Sequence, residues 1–250
     1  MLKHFVLLLF VSMSFKSFAQ SVDELVKQAD AFEKQMKEQE AYAKFKEIVK
    51  SHPQHLYALN KCSELASRIG RMQATKEKQA DFYRAAKIYA ERALKVNPKD
   101  SDANMVMSLA YGRMALLLSG KEKIAYVRDI KIYAERAVAI NPNNFKALHV
   151  LGKWHYEVTN LGVMEKAGLK VFYGGLPKAS FDSSLYFYKK AAALSPGFVL
   201  NYLEMAKVYY KMKNKNKAIE LLKQTIKMPD TTSEDALVKK EAGELLKEWS

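Results

Sequence analysis

The chain reads Ile88-Tyr89-Ala90-Glu91-Arg92-Ala93-Leu94-Lys95-Val96-Asn97-Pro98 and repeats this pattern 44 residues later as Ile132-Tyr133-Ala134-Glu135-Arg136-Ala137-Val138-Ala139-Ile140-Asn141-Pro142. Each copy spaces its small and apolar residues as one face of a helix does, and each ends at a proline, which disfavours helix in the residue before it. Weaker copies end at Pro53 and Pro196, so the four prolines are 45, 44 and 54 residues apart. Periods of this length indicate helical hairpins stacked into a solenoid.

The composition points to the same class of fold. The 250 residues include only ten Gly and six Pro, about half the share of these helix breakers in an average chain. Apolar residues make up 49% and charged residues 27%, which excludes collagen-like, low-complexity and disordered proteins. We therefore predict an all-α protein of antiparallel helical hairpins, stacked as a right-handed solenoid.

The first helix of each predicted pair resembles the tetratricopeptide repeat (TPR), in which a large residue, a small residue and an aromatic residue recur at fixed spacing. The pattern is kept by Leu25, Ala29, Phe32, Ala41, Phe45 and Pro53, by Leu148, Leu151-Gly152 and His155, and by Tyr202, Met205-Ala206, Tyr209, Ala218 and Leu222. The resemblance implies one TPR-like domain over residues 20–250 with five helical pairs. We expect a long insertion at about 158–178 and a C-terminal capping helix at about 233–249 that shields the open end of the stack.

A narrower resemblance runs from about His55 to Trp249. It is carried by Gly152-Lys153-Trp154-His155-Tyr156-Glu157-Val158, by the Ser-Leu-Tyr-Phe-Tyr-Lys-Lys-Ala helix from Ser184, and by Met228-Pro229-Asp230-Thr231-Thr232-Ser233-Glu234-Asp235. These stretches resemble the regulator of microtubule dynamics family. That resemblance implies a TPR-like protein without enzymatic activity, associated with microtubules or with membrane contacts and lipid binding.

The first nineteen residues have the pattern of a secretory signal peptide. Lys3 and His4 precede a short apolar run, and Ser17-Phe18-Ala19 supplies the small residues of a cleavage site. We therefore expect an exported protein, periplasmic or secreted, which departs from the cytosolic setting of the family. The formal charge of +14 falls to +12 without Lys3 and Lys16, and no later stretch approaches the ~20 apolar residues of a membrane span.

The sequence offers no pattern of an active site, metal site or cofactor site. His149 and His155 are six residues apart, on different faces of a helix, so they do not form a zinc pair. Gly174-Gly175 lacks the residues of a phosphate-binding loop. The single cysteine, Cys62, lies on an apolar stripe and is interpreted as a buried structural residue, with a redox or intermolecular bridge as the alternative. We predict a non-enzyme without cofactors.

A candidate binding surface follows from helix geometry. Residues one place after the packing positions lie about 100° further around each first helix and face a shared concave groove. In successive repeats they are Asn60, Glu64, Ser67 and Arg68, then Met105, Leu109, Gly112 and Arg113, then His149, Lys153, Tyr156 and Glu157, then Leu203, Lys207, Tyr210 and Lys211. Cations exceed carboxylates there by five to two, so the groove is predicted to be mildly basic. An ordinary solvated face is the alternative.

Two functions fit this groove. In the first, the chain is a scaffold that binds a protein or peptide, preferably acidic, through Asn60, Arg68, Arg113, His149, Lys153, Tyr156, Lys207, Tyr210 and Lys211. In the second, Met105, Leu109 and Leu203 hold a lipid-like amphiphile whose anionic head meets the lysines, with the insertion around Phe172 and Tyr173 as a lid. Nucleic acid is a third and weaker option. The sequence does not specify the oligomeric state.

Overall fold

A computed structural model describes residues 21–173 and 178–250, which form twelve helices and no strand. In chain order the helices are α1 Val22–Lys34, α2 Glu38–Ser51, α3 Leu56–Arg71, α4 Lys76–Val96, α5 Ser101–Ala115, α6 Gly120–Ile140, α7 Phe145–Asn160, α8 Val163–Tyr173, α9 Phe181–Leu194, α10 Val199–Lys211, α11 Lys215–Lys227 and α12 Asp235–Trp249. The prediction of an all-α fold is confirmed. The predicted signal peptide and Gly174, Gly175 and Pro177 lie outside the described residues.

Five helical hairpins make up the stack: α1/α2, α3/α4, α5/α6, α7/α9 and α10/α11. Successive hairpins meet mainly where the second helix of one packs on the first helix of the next, α2 on α3, α4 on α5, α6 on α7 and α9 on α10, and the first helices α3, α5, α7 and α10 also contact one another in turn. The first helices therefore lie side by side and form the inner wall of the solenoid. Helix α12 packs on α11 and α10.

The extra residues of the middle repeats are helical. Helices α4 and α6 each have 21 residues, against 14 in α2, so the additional length of the second and third repeats extends their second helices. The long insertion contains α8, which packs on α6 and buries Leu169. The insertion thus folds back on the array, although the side chains of Phe172 and Tyr173 are outside the described residues.

Small residues allow the two helices of a hairpin to pack closely. Gly152 of α7 lies directly under the ring of the fully buried Tyr188 of α9. Beside this contact, the Ser184 hydroxyl donates a 2.7 Å hydrogen bond to the Gly152 carbonyl. The α3/α4 hairpin has a similar bond in the opposite direction, from the Ser63 hydroxyl on the first helix to the Ala86 carbonyl on the second at 2.8 Å. These bonds satisfy hydroxyl groups that would otherwise be buried without a partner.

The solenoid is closed across its axis by residues 231–235, which we call the closing segment. Asp235 Oδ2 accepts hydrogen bonds from the backbone N–H groups of Thr231 and Thr232 and holds the segment in a turn. The Ser233 N–H donates to Glu38 Oε1 on α2 at 3.2 Å, and Arg71 Nη1 on α3 lies 3.4 Å from Glu234 Oε2. We expected the C-terminal helix to cover one end of an open stack, whereas this segment joins the last repeat to the first two.

Candidate binding cavity

The closed solenoid surrounds a cavity of about 900 Å³. The first helices of the five hairpins supply most of its wall, and Thr231, Thr232 and Glu234 of the closing segment supply another part. On α5 the lining residues are Met105, Ser108, Leu109, Gly112, Arg113 and Ala115, which recur with the period of one helix face, and Leu116 follows directly after the helix. The cavity therefore coincides with the concave face that the repeat pattern predicts.

One side of the cavity carries ion pairs that join α1 to α3. Glu33 Oε1 lies 2.6 Å from Arg68 Nη2, and Glu33 Oε2 lies 2.6 Å from Lys61 Nζ. Glu64 is buried, which by itself would raise its pKa, but the neighbouring Lys146, Arg68 and Lys61 hold the pKa at about 2. These carboxylates stay ionised at neutral pH and neutralise the cations beside them.

A second group of ion pairs joins α7 to α10. The buried Glu204 accepts from Lys153 Nζ at 2.8 Å and from Lys207 Nζ at 2.9 Å. Burial alone would raise the Glu204 pKa, yet the two ammonium groups hold it well below its usual range. Lys207 also contacts Glu241 of α12 at 2.7 Å. The lysines predicted to bind an acidic partner are thus already paired within the protein.

Another part of the cavity wall is apolar. It is formed by the apolar wall, which we define as Leu116, Val127, Ile130, Trp154, Val158 and Leu161. The Trp154 Nε1–H group donates to the Val127 carbonyl at 2.8 Å, so the indole is satisfied and turns its apolar surface to its neighbours. Leu116 remains 69% exposed although it lines the cavity. An exposed leucine at this place offers apolar surface to a ligand.

Arg113 of α5 also lines the cavity. Its Nε is buried and has no hydrogen-bond partner among the described residues, and no carboxylate oxygen of the part of the chain that the structure describes comes within ion-pair distance of it. The Tyr83 ring is 6.0 Å away, at the limit of a cation–π contact. Burial lowers the pKa of the guanidinium from its ordinary value.

The structure brings together five of the nine predicted binding residues in the cavity lining: Arg68, Arg113, His149, Lys153 and Lys207. His149 is buried and bonds to Asn201 Oδ1 at 2.9 Å. Desolvation lowers the His149 pKa to about 4, so this residue is neutral at pH 7 and adds no positive charge. Whether these residues bind a partner remains a prediction.

The other four predicted residues do not line the cavity. Asn60 donates to Asp100 Oδ1 at 3.0 Å and so joins two repeats, and Tyr156 is buried in the core around α9 and α10. Tyr210 stacks on Trp249 of α12 with ring centroids 3.8 Å apart. Lys211 is exposed.

The residues proposed for an amphiphile are also divided. Met105 and Leu109 line the cavity, whereas Leu203 is fully buried in the core. Among the described lining residues, nine are Lys or Arg and seven are Asp or Glu. The described lining thus carries a small positive formal charge, as the stripe predicts, although carboxylates outside the stripe, such as Glu33, Glu204 and Glu234, also contribute to the lining.

Several lining residues were missed by the sequence pattern. Trp154 and Glu204 lie next to packing positions of their helices and outside the predicted stripe. Leu116 follows the last turn of α5. Val127 and Ile130 belong to a second helix, α6, whose extension carries them to the cavity. An apolar spacing of three between Val127 and Ile130 was the available signal, but it also fits an ordinary core.

Other kinds of site find no support in the described ranges. No group of three His, Cys, Asp or Glu side chains within 21–173 and 178–250 is arranged to hold a metal ion. None of the helices described there combines the length and apolarity needed to cross a bilayer. Cys62 is buried, and burial raises the pKa of its thiol to about 12, which agrees with a structural role.

The fold and its concave cavity define a TPR-like helical-repeat protein. The structure is similar to that of a thermophilic TPR protein from Thermus thermophilus, with a TM-score of 0.63 and 14% identity over 90% of this chain and 99% of that one. The predicted TPR-like solenoid is confirmed. A family model described as regulator of microtubule dynamics protein 1-3 matches residues 25–250. The chain belongs to this family.

Relatives agree with that assignment. The chain is 26% identical to regulator of microtubule dynamics protein 1 of Bos taurus over 232 residues, 92% of this chain and 72% of the relative. It is also 26% identical to the protein of that name in Caenorhabditis elegans over 158 residues, 63% of this chain and 70% of the relative. The predicted periplasmic or secreted location is wrong, since these are animal proteins named for the regulation of microtubules, which are polymers inside eukaryotic cells.

Proposed function

We propose that this chain is a non-enzymatic scaffold that binds a segment of a protein or peptide partner in its concave cavity. The observation that carries the proposal is a cavity of about 900 Å³ that is lined mostly by the first helices, is closed by residues 231–235, and presents both charged and apolar side chains. Such a lining suits an extended segment with both kinds of side chain.

The ion pairs change what the partner must offer. Because Lys153 and Lys207 already share the buried Glu204, an acidic partner would have to compete with that carboxylate. Replacing both lysines by Glu would place three carboxylates together and destabilise the fold, so it does not test binding cleanly. A cleaner test uses a lining residue that contributes little to the core.

Leu116 is such a residue, because it is 69% exposed and lies in the cavity lining. We place a photocrosslinking amino acid at position 116, and at position 88 as the matched control. Ile88 is 55% exposed on α4 and does not line the cavity. The proposal expects a protein adduct from position 116 and none from position 88 in the cells that make the protein. Equal yields at the two positions, or no adduct at 116, would refute it.

Binding of a lipid-like amphiphile is the second candidate, and the apolar wall is the observation that favours it. A chain of methylene groups lying along Leu116, Ile130 and Trp154 would remove their apolar surface from water. Native mass spectrometry of the purified protein, followed by organic extraction, tests this candidate. Here a bound mass that is extracted into organic solvent is expected, and its loss in a Leu116→Glu variant would place it in the cavity. Protein that carries no such mass would contradict this candidate.

A further inference from the structure

We infer that Arg113 anchors a single carboxylate at the end of an apolar chain, with that chain lying along Leu109 and Leu116 toward the apolar wall. The inference rests on the proposed function, because it concerns the same cavity, and it names the chemistry of the group that the cavity takes. The carboxylate can be the C-terminus of a peptide or the head of a fatty acid, and the experiment below separates these two sources.

Among the described arginines of the lining, Arg113 is the one without a carboxylate partner, since Arg68 pairs with Glu33 and Arg71 with Glu234. The seven lining carboxylates have partners: Asp30 with the Tyr57 hydroxyl, Glu33 with Lys61 and Arg68, Glu64 with Lys146, Glu157 and Glu204 with Lys153, Glu234 with Arg71, and Glu241 with Lys207. Arg113 has none of them. Lys34 and Lys123 also lack an ion pair in the described residues, but neither has a buried nitrogen without a partner. A buried guanidinium without an anionic partner is costly, and an anion in the cavity that Arg113 lines would offset that cost.

The nearest carboxylates that act on Arg113, Glu234 and Glu204, are already engaged with other cations, and Arg71 is close enough to oppose its charge. One unpaired guanidinium compensates one negative charge. A monoanion therefore fits this place better than a phosphate dianion, whose second charge would meet the neighbouring carboxylates.

Arg113 lies on α5 between two leucines that also line the cavity. Leu109 is four residues before it on the same helix face, and Leu116 is three residues after it, directly past the end of α5. The guanidinium is thus flanked by apolar surface. A ligand held by its carboxylate at Arg113 would lay its first carbon atoms on these leucines before it reaches Ile130 and Trp154.

The experiment compares acids with neutral analogues on the wild-type protein. Calorimetric titration at pH 7.5 uses decanoate against decanol, and an N-acetylated trileucine peptide with a free C-terminus against its C-terminal amide. At least one acid should bind about tenfold or more tightly than its neutral analogue, as a charge-assisted hydrogen bond predicts. The pair in which this difference occurs identifies the source. Equal affinity within both pairs would overturn the inference.

Variants then locate the effect. In Arg113→Met the affinity for the acid should fall to that of the neutral analogue, while Arg113→Lys keeps part of the preference. Lys211→Met is the matched control, since Lys211 is exposed and outside the cavity lining, and it should bind as the wild type does. The urea midpoint of Arg113→Met should not fall, because the variant removes an unpaired charge rather than a contact. Unchanged acid binding in Arg113→Met would refute the assignment.

Failure of this inference is distinguishable from failure of the proposed function. If none of the four probes binds and position 116 still crosslinks to a protein, the inference about Arg113 is refuted, while the proposal that the cavity binds a protein stands. If position 116 gives no adduct, the proposed function falls, whatever the titrations give. A variant that does not fold leaves the comparison of acid and neutral ligands on the wild type to decide.

Discussion

Tyr188 of α9 lies so close to Gly152 of α7 that a Cβ atom built on Gly152 would be 2.6 Å from Tyr188 Cδ1 and 2.7 Å from Cε1. The Leu-Gly pair of the repeat thus has a direct structural cause. The missing side chain lets the tyrosine ring lie flat on the backbone of the neighbouring helix, where it is fully buried.

Gly152→Ala should therefore lower the free energy of unfolding by about 1 to 3 kcal/mol, since the ring and the helix must move apart to admit the methyl group. Gly243→Ala in α12 is the matched control. No atom lies within 4 Å of a Cβ built there, so the control should gain up to about 1 kcal/mol from helix propensity. Urea denaturation of both variants measures the difference, and two variants that shift in the same direction would contradict this account.

Glu204 should contribute to stability through its two lysines. Glu204→Gln keeps the shape of the side chain and removes the charge between Lys153 and Lys207, which should cost about 1 to 3 kcal/mol. Glu220→Gln is the control, because the exposed pair Lys217–Glu220 on α11 should change the free energy of unfolding by less than about 0.5 kcal/mol. Guanidinium is unsuitable because its salt screens the ion pairs, so urea at pH 7 is the measurement. Similar costs at the two sites would argue against the buried network.

The buried His149 predicts a loss of stability in mild acid. Its pKa is about 4 in the folded protein, below the ordinary value of 6.5, so the unfolded chain binds a proton first as the pH falls. Stability should decrease from pH 6.5 toward pH 4, by at most about 3 kcal/mol for this residue. His155, whose pKa is also lowered by burial, acts in the same direction, whereas Glu38, whose pKa burial raises, acts in the opposite one.

For this reason the test compares slopes rather than totals. Urea unfolding of His149→Gln at pH 7, 6 and 5 should give a flatter dependence on pH than the wild type. His52→Gln is the control, since His52 is exposed at the end of α2 and the slope should stay as it is in the wild type. Equal slopes in all three proteins would show that His149 titrates alike in the folded and unfolded chains.

The closing segment can be tested through a single amide. The Ser233 N–H group is protected from exchange by its hydrogen bond to Glu38. Arg71 forms ion pairs with Glu234, the next residue, and with Glu241 of α12. Arg71→Ala should raise the hydrogen-exchange rate of this amide at least about tenfold, through local opening without global unfolding. Arg84→Ala, which removes an exposed pair with Asp81, should leave the rate unchanged. No change in Arg71→Ala would mean that the ion pairs do not hold the segment in place.

Much of the fold could be predicted from the sequence because residues close together in the chain define each helix of the repeat and its end. The prolines after Asn97 and Asn141 mark helix ends, and small residues such as Gly152 mark close helix packing. The positions of the two longest second helices and of α8 were less accessible. Extra length between repeat positions can extend a helix or form a loop, and tertiary packing decides which occurs.

The cavity was predictable only in part. The position of Arg68, Arg113 and Lys153 on the concave side follows from the helical period alone. The carboxylates that pair with Arg68 and Lys153 from other helices, Glu33 and Glu204, could not be predicted, because no spacing within one repeat reveals a contact between repeats. The apolar wall was missed because Val127 and Ile130 belong to α6, which the repeat pattern assigns to the convex side.

The contact of the closing segment with α2 and α3 changes how the molecule should lose its structure. In a linear repeat array each end has one neighbour, so unfolding starts by fraying of a terminal repeat. Here the first and last repeats also support each other, through Glu38, Arg71, Ser233 and Glu234. Unfolding of either terminal repeat therefore breaks two interfaces instead of one. The described repeats should therefore unfold as a single cooperative unit rather than one at a time.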